Sequence, residues 1–555
     1  MNSLIKKAIL RMCILLPCAV ISQNVINPSW VHFADESNSD YVTDLWVAPG
    51  GESYTIGHIG SVGDNPDGLM LLKVNALGQE IWRRKIYPAT DEWGLMAKSI
   101  IADEHGDIFV AYNERFKYTH FTNNRVVVNK YNTQGELLWS TYYTAHENGP
   151  IEEVATHAAA CKNGILYLAG TSTHLDPSAN LNGMIVKINL GTGELMQKIV
   201  FNSQYNSDDI FRQIKVDDTG NMWAVGRSRG YMWPGGIYSD YDANVVKYNA
   251  DGQLQWEHRE NGTSNNIDFG INIAIDDEGN CYTSNQVKSL SISQSKVLVQ
   301  KISALGAILW TYEYQGSSSG YNWDQPVSLL PNGNVALVFS NEDGINTMCL
   351  DGFDGTQVWT ANYNRNSMGM ANHQRNMVVD ALGNIYITGT SRDNTPMGGG
   401  YDLVTLKYNS QGTLEWLSNF NHANYDTAGD DGVRLMLDSM GNVYAIGWTS
   451  GDNFNDDFLL LKYGDAVMGT EDIEEASVLV YPNPVSDFIN IVVPESIIPD
   501  EITLADMNGK IMLYMNKFSN QRGVISFDMQ GLSTGIYLMT IQSQKETIVF
   551  KVIKN

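Results

Sequence analysis

A chain of 555 residues, 43% hydrophobic and 18% charged, can bury a large core, and its 15 prolines are too few for an extended disordered chain. Its 62 acidic against 36 basic residues give a formal net charge of −26. Such a surface repels phosphate backbones and anionic lipid, which argues against nucleic-acid binding and for a solubilised exported protein.

Residues 1–22 have the organisation of a signal peptide. Lys6, Lys7 and Arg11 form a positive segment, Met12 to Ile21 a short apolar core, and Val20 and Ser22 are small enough to precede a cut that leaves Gln23 as the new N-terminus. The apolar run is too short to span a bilayer, and no other membrane span is expected. Beyond this segment the cysteines are Cys161, Cys281 and Cys349, an odd and widely spaced set that implies buried single thiols rather than a disulfide framework or a metal site.

From Tyr41 to Gly464 one pattern recurs. An apolar run (A) leads through a tight turn into a β-rich run ending in Gly or a small residue (B). After a loop come an aliphatic run with Lys (C), a second turn and a run with Trp (D). One copy runs Asn376–Asp380, Gly383–Gly389, Asp402–Asn409 and Gly412–Trp416; another runs Val216–Asp217, Gly220–Gly226, Asn244–Asn249 and Gly252–Trp256. The Gly-x-x-x-Trp ending occurs at Gly78/Trp82, Gly135/Trp139, Gly252/Trp256, Gly306/Trp310, Gly355/Trp359 and Gly412/Trp416. A Lys stands nine residues before most of these tryptophans: Lys73, Lys130, Lys247, Lys301 and Lys407. The period of about 50–60 residues suits a four-stranded blade. The A–B links, such as Asp217 to Asn221 and Asp380 to Asn384, are Asp-initiated hairpin turns with Gly at the position that needs positive φ. They lack the ligand alternation of an EF-hand loop, so no metal site is expected in them.

The Asp-x-x-Gly-Asn-x-Tyr-x-x-Gly core with a following Lys-Tyr resembles the bacterial SBBP-type β-propeller repeat. The Gly-x-x-x-Trp ending resembles the tryptophan-docking repeat of quinoprotein-like eight-bladed propellers. The resemblance covers about residues 29–464 and implies an all-β propeller. The vicinal cysteine pair of quinoprotein alcohol dehydrogenases is missing, so no quinone or other cofactor is expected.

Eight B runs and eight C runs predict eight blades, with a seven-bladed ring containing one degenerate copy as the alternative. No Trp run follows Gly464, whereas Ser29–Ala34 looks like the D run at Trp416. The mature N-terminus is therefore expected to supply the outer strand of the last blade, within a propeller domain spanning 23–464.

Residues 465–477 are polar and acidic and read as a linker. Short alternating strands over 478–555 then predict a small β-sandwich. This segment resembles the type A sorting domain of the type IX secretion system of Bacteroidota. The resemblance implies passage through the periplasm and outer membrane to the cell surface or medium, with the type IX machinery as partner. It places Tyr481, Pro482, Asn483, Pro484, Gly535, Tyr537 and Lys551 in the export address or its folding.

No Gly-x-Ser-x-Gly, His-Glu-x-x-His, phosphate-binding loop or Cys-x-x-Cys motif occurs, and the ten histidines are scattered. No catalytic residue is assigned. The function expected is non-catalytic binding, adhesion or scaffolding by a monomer with a glycan or protein ligand. The alternative is an extracellular enzyme acting on a polysaccharide or other polymer in the central pocket. The A–B and C–D turns are short and uniform, whereas the B–C and D–A links are long, variable and rich in aromatics. Trp93, Tyr321, Trp323, Trp233 and Tyr231 are accordingly the residues expected on a ligand face, with Tyr142, Tyr143, Tyr205, Tyr238, Tyr241 and Tyr363 also assigned to links.

Overall fold

The structure is a computed structural model. It describes residues 24–34, 39–61, 68–88, 94–103, 105–118, 121–143, 154–173, 180–205, 207–230, 232–233, 237–238, 241–261, 268–288, 295–315, 325–341, 343–365, 372–392, 400–422, 429–450, 456–464, 479–481, 485, 488–492, 499–506, 510–515, 524–543 and 547–554. The proposed signal peptide and linker lie outside these residues. The chain divides into two compact units, Met1–Asp465 and Ala466–Asn555.

Among the described residues the first unit contains eight four-stranded antiparallel sheets. In chain order their first strands (A) are Ser39–Val47, Gly94–Ala102, Val154–Lys162, Asp209–Val216, Phe269–Ile275, Val327–Leu329, His373–Val379 and Asp430–Leu437, and these name sheets 1 to 8. Sheets 1 to 7 each run A–B–C–D in chain order. Sheet 8 takes its outer strand from the N-terminus: Trp30–Ala34 pairs with Asp456–Tyr463, Trp30 opposite Lys462 and Ala34 opposite Phe458.

Valine, isoleucine and leucine are concentrated in the middle of the C strands because both faces of each sheet are covered. Gly68–Val74, for example, is buried at every position. Eight apolar clusters each join two consecutive sheets. One joins Tyr54 and Leu71 of sheet 1 to Ile100 and Val110 of sheet 2, and another joins Tyr444 and Phe458 of sheet 8 to Leu45 and Met70 of sheet 1. The series therefore closes on itself. Consecutive sheets approach each other most consistently through their A strands, which form the inner wall. This is the architecture of a β-propeller.

The Lys and Trp of the repeat hold neighbouring sheets together at the outside. They face each other across the C–D hairpin, as Lys73 does Trp82, so both reach one carbonyl of the next sheet. Trp82 Nε1 and Lys73 Nζ donate to Thr133 O at 3.1 and 3.3 Å. Trp256 and Lys247 donate to Ala304 O at 3.1 and 3.0 Å. Trp310 and Lys301 donate to Gly352 O at 3.2 and 2.9 Å. Across the seam between the chain ends, Trp30 and Lys462 donate to Ala76 O at 3.0 and 3.3 Å. The indole covers the turn glycine of the neighbour, where a Cβ at Gly412 would strike Trp359 and one at Gly78 would strike Trp30. Sheet 3 lacks the Trp, and Gln197 Nε2 donates to Asp251 O at 2.7 Å instead.

The A–B turns are closed by their leading Asp. Asp217 Oδ1 accepts from the N–H groups of Thr219 and Asn221 at 2.9 and 2.8 Å, and Oδ2 from Asn221 Nδ2 at 2.8 Å. These carboxylates are spent on turn geometry.

Six A strands contain a bulge at the same point, and a seventh, in sheet 3, has one at Thr156/Ala158. The bulge presses an A-strand carbonyl against the B strand, which explains the Gly ending many B runs: a Cβ at Gly226, Gly389 or Gly447 would overlap the carbonyl oxygen of Ile210, His373 or Asp431. Gly389→Val is expected to cost about 3 kcal/mol or more, because backbone cannot move aside as a side chain can. Gly50→Ala, where a Cβ meets open space, is expected within about 0.5 kcal/mol of the parent. Urea midpoints of the first unfolding transition check both.

The second unit has a three-stranded sheet (Leu479–Tyr481, Phe488–Val492, Val524–Asp528) and a four-stranded one (Ile511–Met515, Pro499–Asp506, Gly535–Ser543, Thr547–Lys554). Ile489, Ile491 and Phe527 of the first share one apolar core with Leu504, Met539, Ile541 and Val552 of the second. No helix among the described residues is long and apolar enough to cross a membrane.

Candidate functional site

Of the aromatics expected on the ligand face, Trp93, Tyr231, Tyr321 and Trp323 lie outside the described residues. Trp233 stands opposite Ile237 in a short hairpin between strands B and C of sheet 4. Tyr142, Tyr143 and Tyr363 are not in links. They end D strands whose C-strand partners run on to meet them, Tyr143 opposite Val126 and Tyr363 opposite Ile345. Tyr143 and Tyr363 are buried, and Tyr363 Oη bonds Asn419 Oδ1 at 2.9 Å. Cys281 and Cys349 are buried thiols and Cys161 is half-buried, none in a disulfide.

In the second unit, Tyr537 is buried and donates to Ser533 O at 2.7 Å. Gly535 stands opposite Lys554 and Lys551 opposite Leu538. Tyr481 pairs with Asn490, and Pro482, Asn483 and Pro484 are outside the described residues.

The A-strand bulges bring together residues that the sequence scatters. The residue left unpaired at each bulge is Thr43, Lys98, His157, Arg212, Ile271, Arg375 and Val433 in sheets 1, 2, 3, 4, 5, 7 and 8. Three of the seven are cationic and a fourth is His157, in a chain whose net charge is −26. These side chains act on one another. Burial pushes the His157 imidazole down to about 4, helped by the positive charges of Lys98, Arg212 and Arg227. His58 is likewise held at about 4 by burial and by Lys98, and its Nε2 accepts from Ala97 N at 3.0 Å. Burial alone lowers Lys98. Lys215, further along the strand that carries Arg212, is exposed, and the surrounding protein and then Arg434 of sheet 8 lower it. Sheets 4 and 8 lie opposite each other in the series.

Two carboxylates answer part of this charge. Asp44 Oδ1 takes Arg434 at 2.9 Å while its Oδ2 accepts from Ile100 N at 2.9 Å, and Asp431 takes Arg375 at 3.3 Å.

From the axis the basic cluster extends outward along the B–C end of sheet 4. Arg227 lies over Tyr241 at 4.2 Å and over Phe269 at 5.0 Å; Arg229 lies over Tyr241 at 4.8 Å and Arg259 over Tyr205 at 5.0 Å. Asp208 binds Arg229 at 2.9 Å and accepts from Tyr241 Oη at 2.9 Å, and Asp242 binds Arg259 at 2.9 Å. Cation–π stacking fixes the guanidinium planes, while Asp208 and Asp242 take part of the donors of Arg229 and Arg259. Arginine does not exchange protons near neutral pH. Sequence reading placed Tyr205 and Tyr241 in the links of this face but missed the arginines stacked on them. Their signal was the B-strand Gly, whose register partner immediately precedes the bulged residue in sheets 1, 3, 4, 7 and 8.

A closed series of packed four-stranded sheets with this inner wall, followed by a separate two-sheet unit, defines an all-β propeller with a C-terminal accessory domain. Residues 479–555 match the secretion system C-terminal sorting domain, which marks proteins delivered by the type IX system to the cell surface or extracellular space. No curated protein matches the chain. Among solved structures it is similar to a protein of unknown function from Bacteroides caccae (14% identity, 70% of this chain and 98% of that one, TM-score 0.32). It is also similar to the Dos1 propeller (11%, 78% and 95%, TM-score 0.45) and to the WD40 domain of SCAP from fission yeast (10%, 79% and 98%, TM-score 0.40).

Proposed function

We propose that the mature protein is an eight-bladed propeller of the tryptophan-docking type, closed by its own N-terminal strand, with a C-terminal sandwich that serves as its export address. At the cell surface or in the medium it acts as a monomeric, non-catalytic binding protein. Its ligand is a glycan or protein, engaged on the face where the B–C and D–A links emerge. The observation that supports this reading is the stacked arginine–aromatic cluster of Arg227, Arg229, Arg259, Tyr205 and Tyr241 on that side of sheet 4. It offers oriented donors whose charge is constant with pH, as suits recognition rather than proton transfer.

The test is a screen of the full mature chain against glycan and peptide arrays, with product release followed in parallel. Binding without turnover is expected. Replacing Trp93, Trp233, Tyr321 and Trp323 together by Ala should weaken the ligand found at least ~100-fold, as loss of aromatic anchors does at interfaces. Asp218→Ala and Asp277→Ala, in the short turns, should leave affinity unchanged. Turnover of a polymer, or binding lost only through the short-turn substitutions, rejects the proposal.

A further inference from the structure

In the propeller, the buried carboxyls of Asp209 and Asp430 accept from the backbone N–H groups of Ser203 and His422 at 2.8 and 3.0 Å, and so are part of the scaffold. The exposed apolar side chains Leu305 and Phe353 each stand at the tip of one C–D turn, in different sheets. The second unit differs, because there exposed apolar side chains stand side by side on one sheet face.

We propose that the outward face of the four-stranded sheet of the sorting domain, built by Ile511, Tyr514, Ile536 and Leu538, is the surface through which the type IX machinery reads the domain, by contact with an apolar protein surface. This rests on the reading of the second unit as the export address. Strand alternation sorts the residues of this sheet. Ile502 and Leu504 of one central strand, with Tyr537, Met539 and Ile541 of the other, belong to the apolar core and are buried. Their neighbours in the chain take the other face, where Ile536 and Leu538 are 41% and 38% exposed. Register sets these residues beside one another. Leu538 is opposite Ala505 and Ala505 is opposite Ile511, so one row crosses three strands; the next row is Thr540, Thr503 and Tyr514. Ile511 and Tyr514 are 56% and 52% exposed.

The core of the unit lies on the opposite face of the sheet, so these four side chains are not needed to build it. Exposed apolar residues gathered on one face mark a contact surface. The composition is that of an interface centre: four large apolar side chains around Ala505, Thr503 and Thr540, none of them charged, with Glu501 and Gln542 starting a polar rim further along the same two strands. The occupant follows from the domain itself. Residues 479–555 match a sorting domain, whose partner is a protein machine, and the residues that the sequence assigns to its export address bracket the face. Gly535 and Tyr537 flank Ile536, and Lys551 is opposite Leu538. Tyr537 packs inward and anchors the strand, which leaves Ile536 and Leu538 on either side of it facing out. A stable dimer buries about 20–30 residues a side, far more than this face offers, whereas a small apolar centre suits a transient contact made during passage.

The experiment follows the full chain in cells with a working type IX system, by fractionation and protease accessibility, with calorimetry of the purified full chain alongside. The variant Ile511→Thr/Ile536→Thr/Leu538→Thr keeps strand propensity and removes the apolar row. Delivery to the surface and medium should fall at least ~10-fold, as when interface anchors are lost, with the chain held in the periplasm. The unfolding transition of the second unit should stay within about 4 °C of the parent, because the replaced side chains are exposed. Asp500→Ala, exposed on the same sheet outside the row, should be delivered as the parent is. If the triple variant fails to fold, Leu538→Thr alone should still lower delivery at least ~3-fold. The proposal is overturned if the folded variants are delivered as the parent is, or if Asp500→Ala loses delivery equally. It is also overturned if the parent sediments as a dimer and the triple variant as a monomer, which identifies a second copy as the occupant. Deleting residues 479–555 separates this proposal from the broader reading. If the deletion blocks delivery and the triple variant does not, only the docking face is rejected; if the deleted chain is delivered normally, both are.

Discussion

A chain lacking residues 24–34 is expected to lose at least ~5 kcal/mol of stability and to aggregate. The segment forms the outer strand of sheet 8 through five register pairs from Trp30↔Lys462 to Ala34↔Phe458. Trp30 covers Gly78 of sheet 1, meets Tyr444 edge-on with ring centroids 5.9 Å apart, and donates to Ala76 O at 3.0 Å. Losing a packed Trp alone costs about 3–5 kcal/mol, and the cut also bares the edge of Asp456–Tyr463 as a template for foreign strands. These interactions tie the first residues of the propeller to the last, so every sheet is affected through the seam. Trp30→Ala separates the two effects: it keeps the strand, and is expected to lose about 3 kcal/mol with less aggregation. Denaturation midpoints and light scattering measure both. A truncated chain that keeps the parent's midpoint would show that closure does not depend on this strand.

Deleting residues 479–555 is expected to abolish delivery to the surface and medium while leaving the propeller folded in the periplasm. The sorting domain has its own core, with Ile489, Ile491, Ile502, Leu504 and Met539 fully buried, and the two units separate at Asp465/Ala466. A domain with an independent core can be removed without unfolding its neighbour. Tyr537→Ala tests the same point within the domain. The buried ring and its bond to Ser533 O at 2.7 Å are worth about 3 kcal/mol or more, and a small two-sheet domain losing that much should fail export. Cell fractionation with a protease-accessibility assay reads both, and normal surface display of either variant counts against the assignment.

The sequence by itself determined the elements whose physics is local. An all-β chain is legible because Asp-x-x-Gly-Asn turns such as 217–221 and 380–384 encode their own hairpins through Asp side-chain bonds and a positive-φ glycine. The sorting domain is legible for the same reason, since its strands and motifs follow one another within 479–555. Even the nine-residue interval from Lys73 to Trp82 is local, being the register of one hairpin. The carbonyl that both side chains reach, Thr133 O, belongs to the next sheet and could not be read from the interval.

Only the tertiary structure decided where the isolated basic residues go. Lys98, His157 and Arg212 are separated by more than fifty residues each and look in sequence like ordinary polar positions on a strand. A strand's alternation alone assigns each to one sheet face or the other. The bulge breaks that alternation at the inner wall, and closure of the ring then brings the unpaired residues of separate sheets to one axis. The aromatic ends of the D strands went the other way. Tyr143 and Tyr363 follow the length of their C-strand partners and are buried, because pairing a strand end satisfies its backbone whereas a link would leave it to solvent. Pairing between neighbours in sequence is a short-range property, whereas the approach of charges across a closed ring depends on every sheet between them.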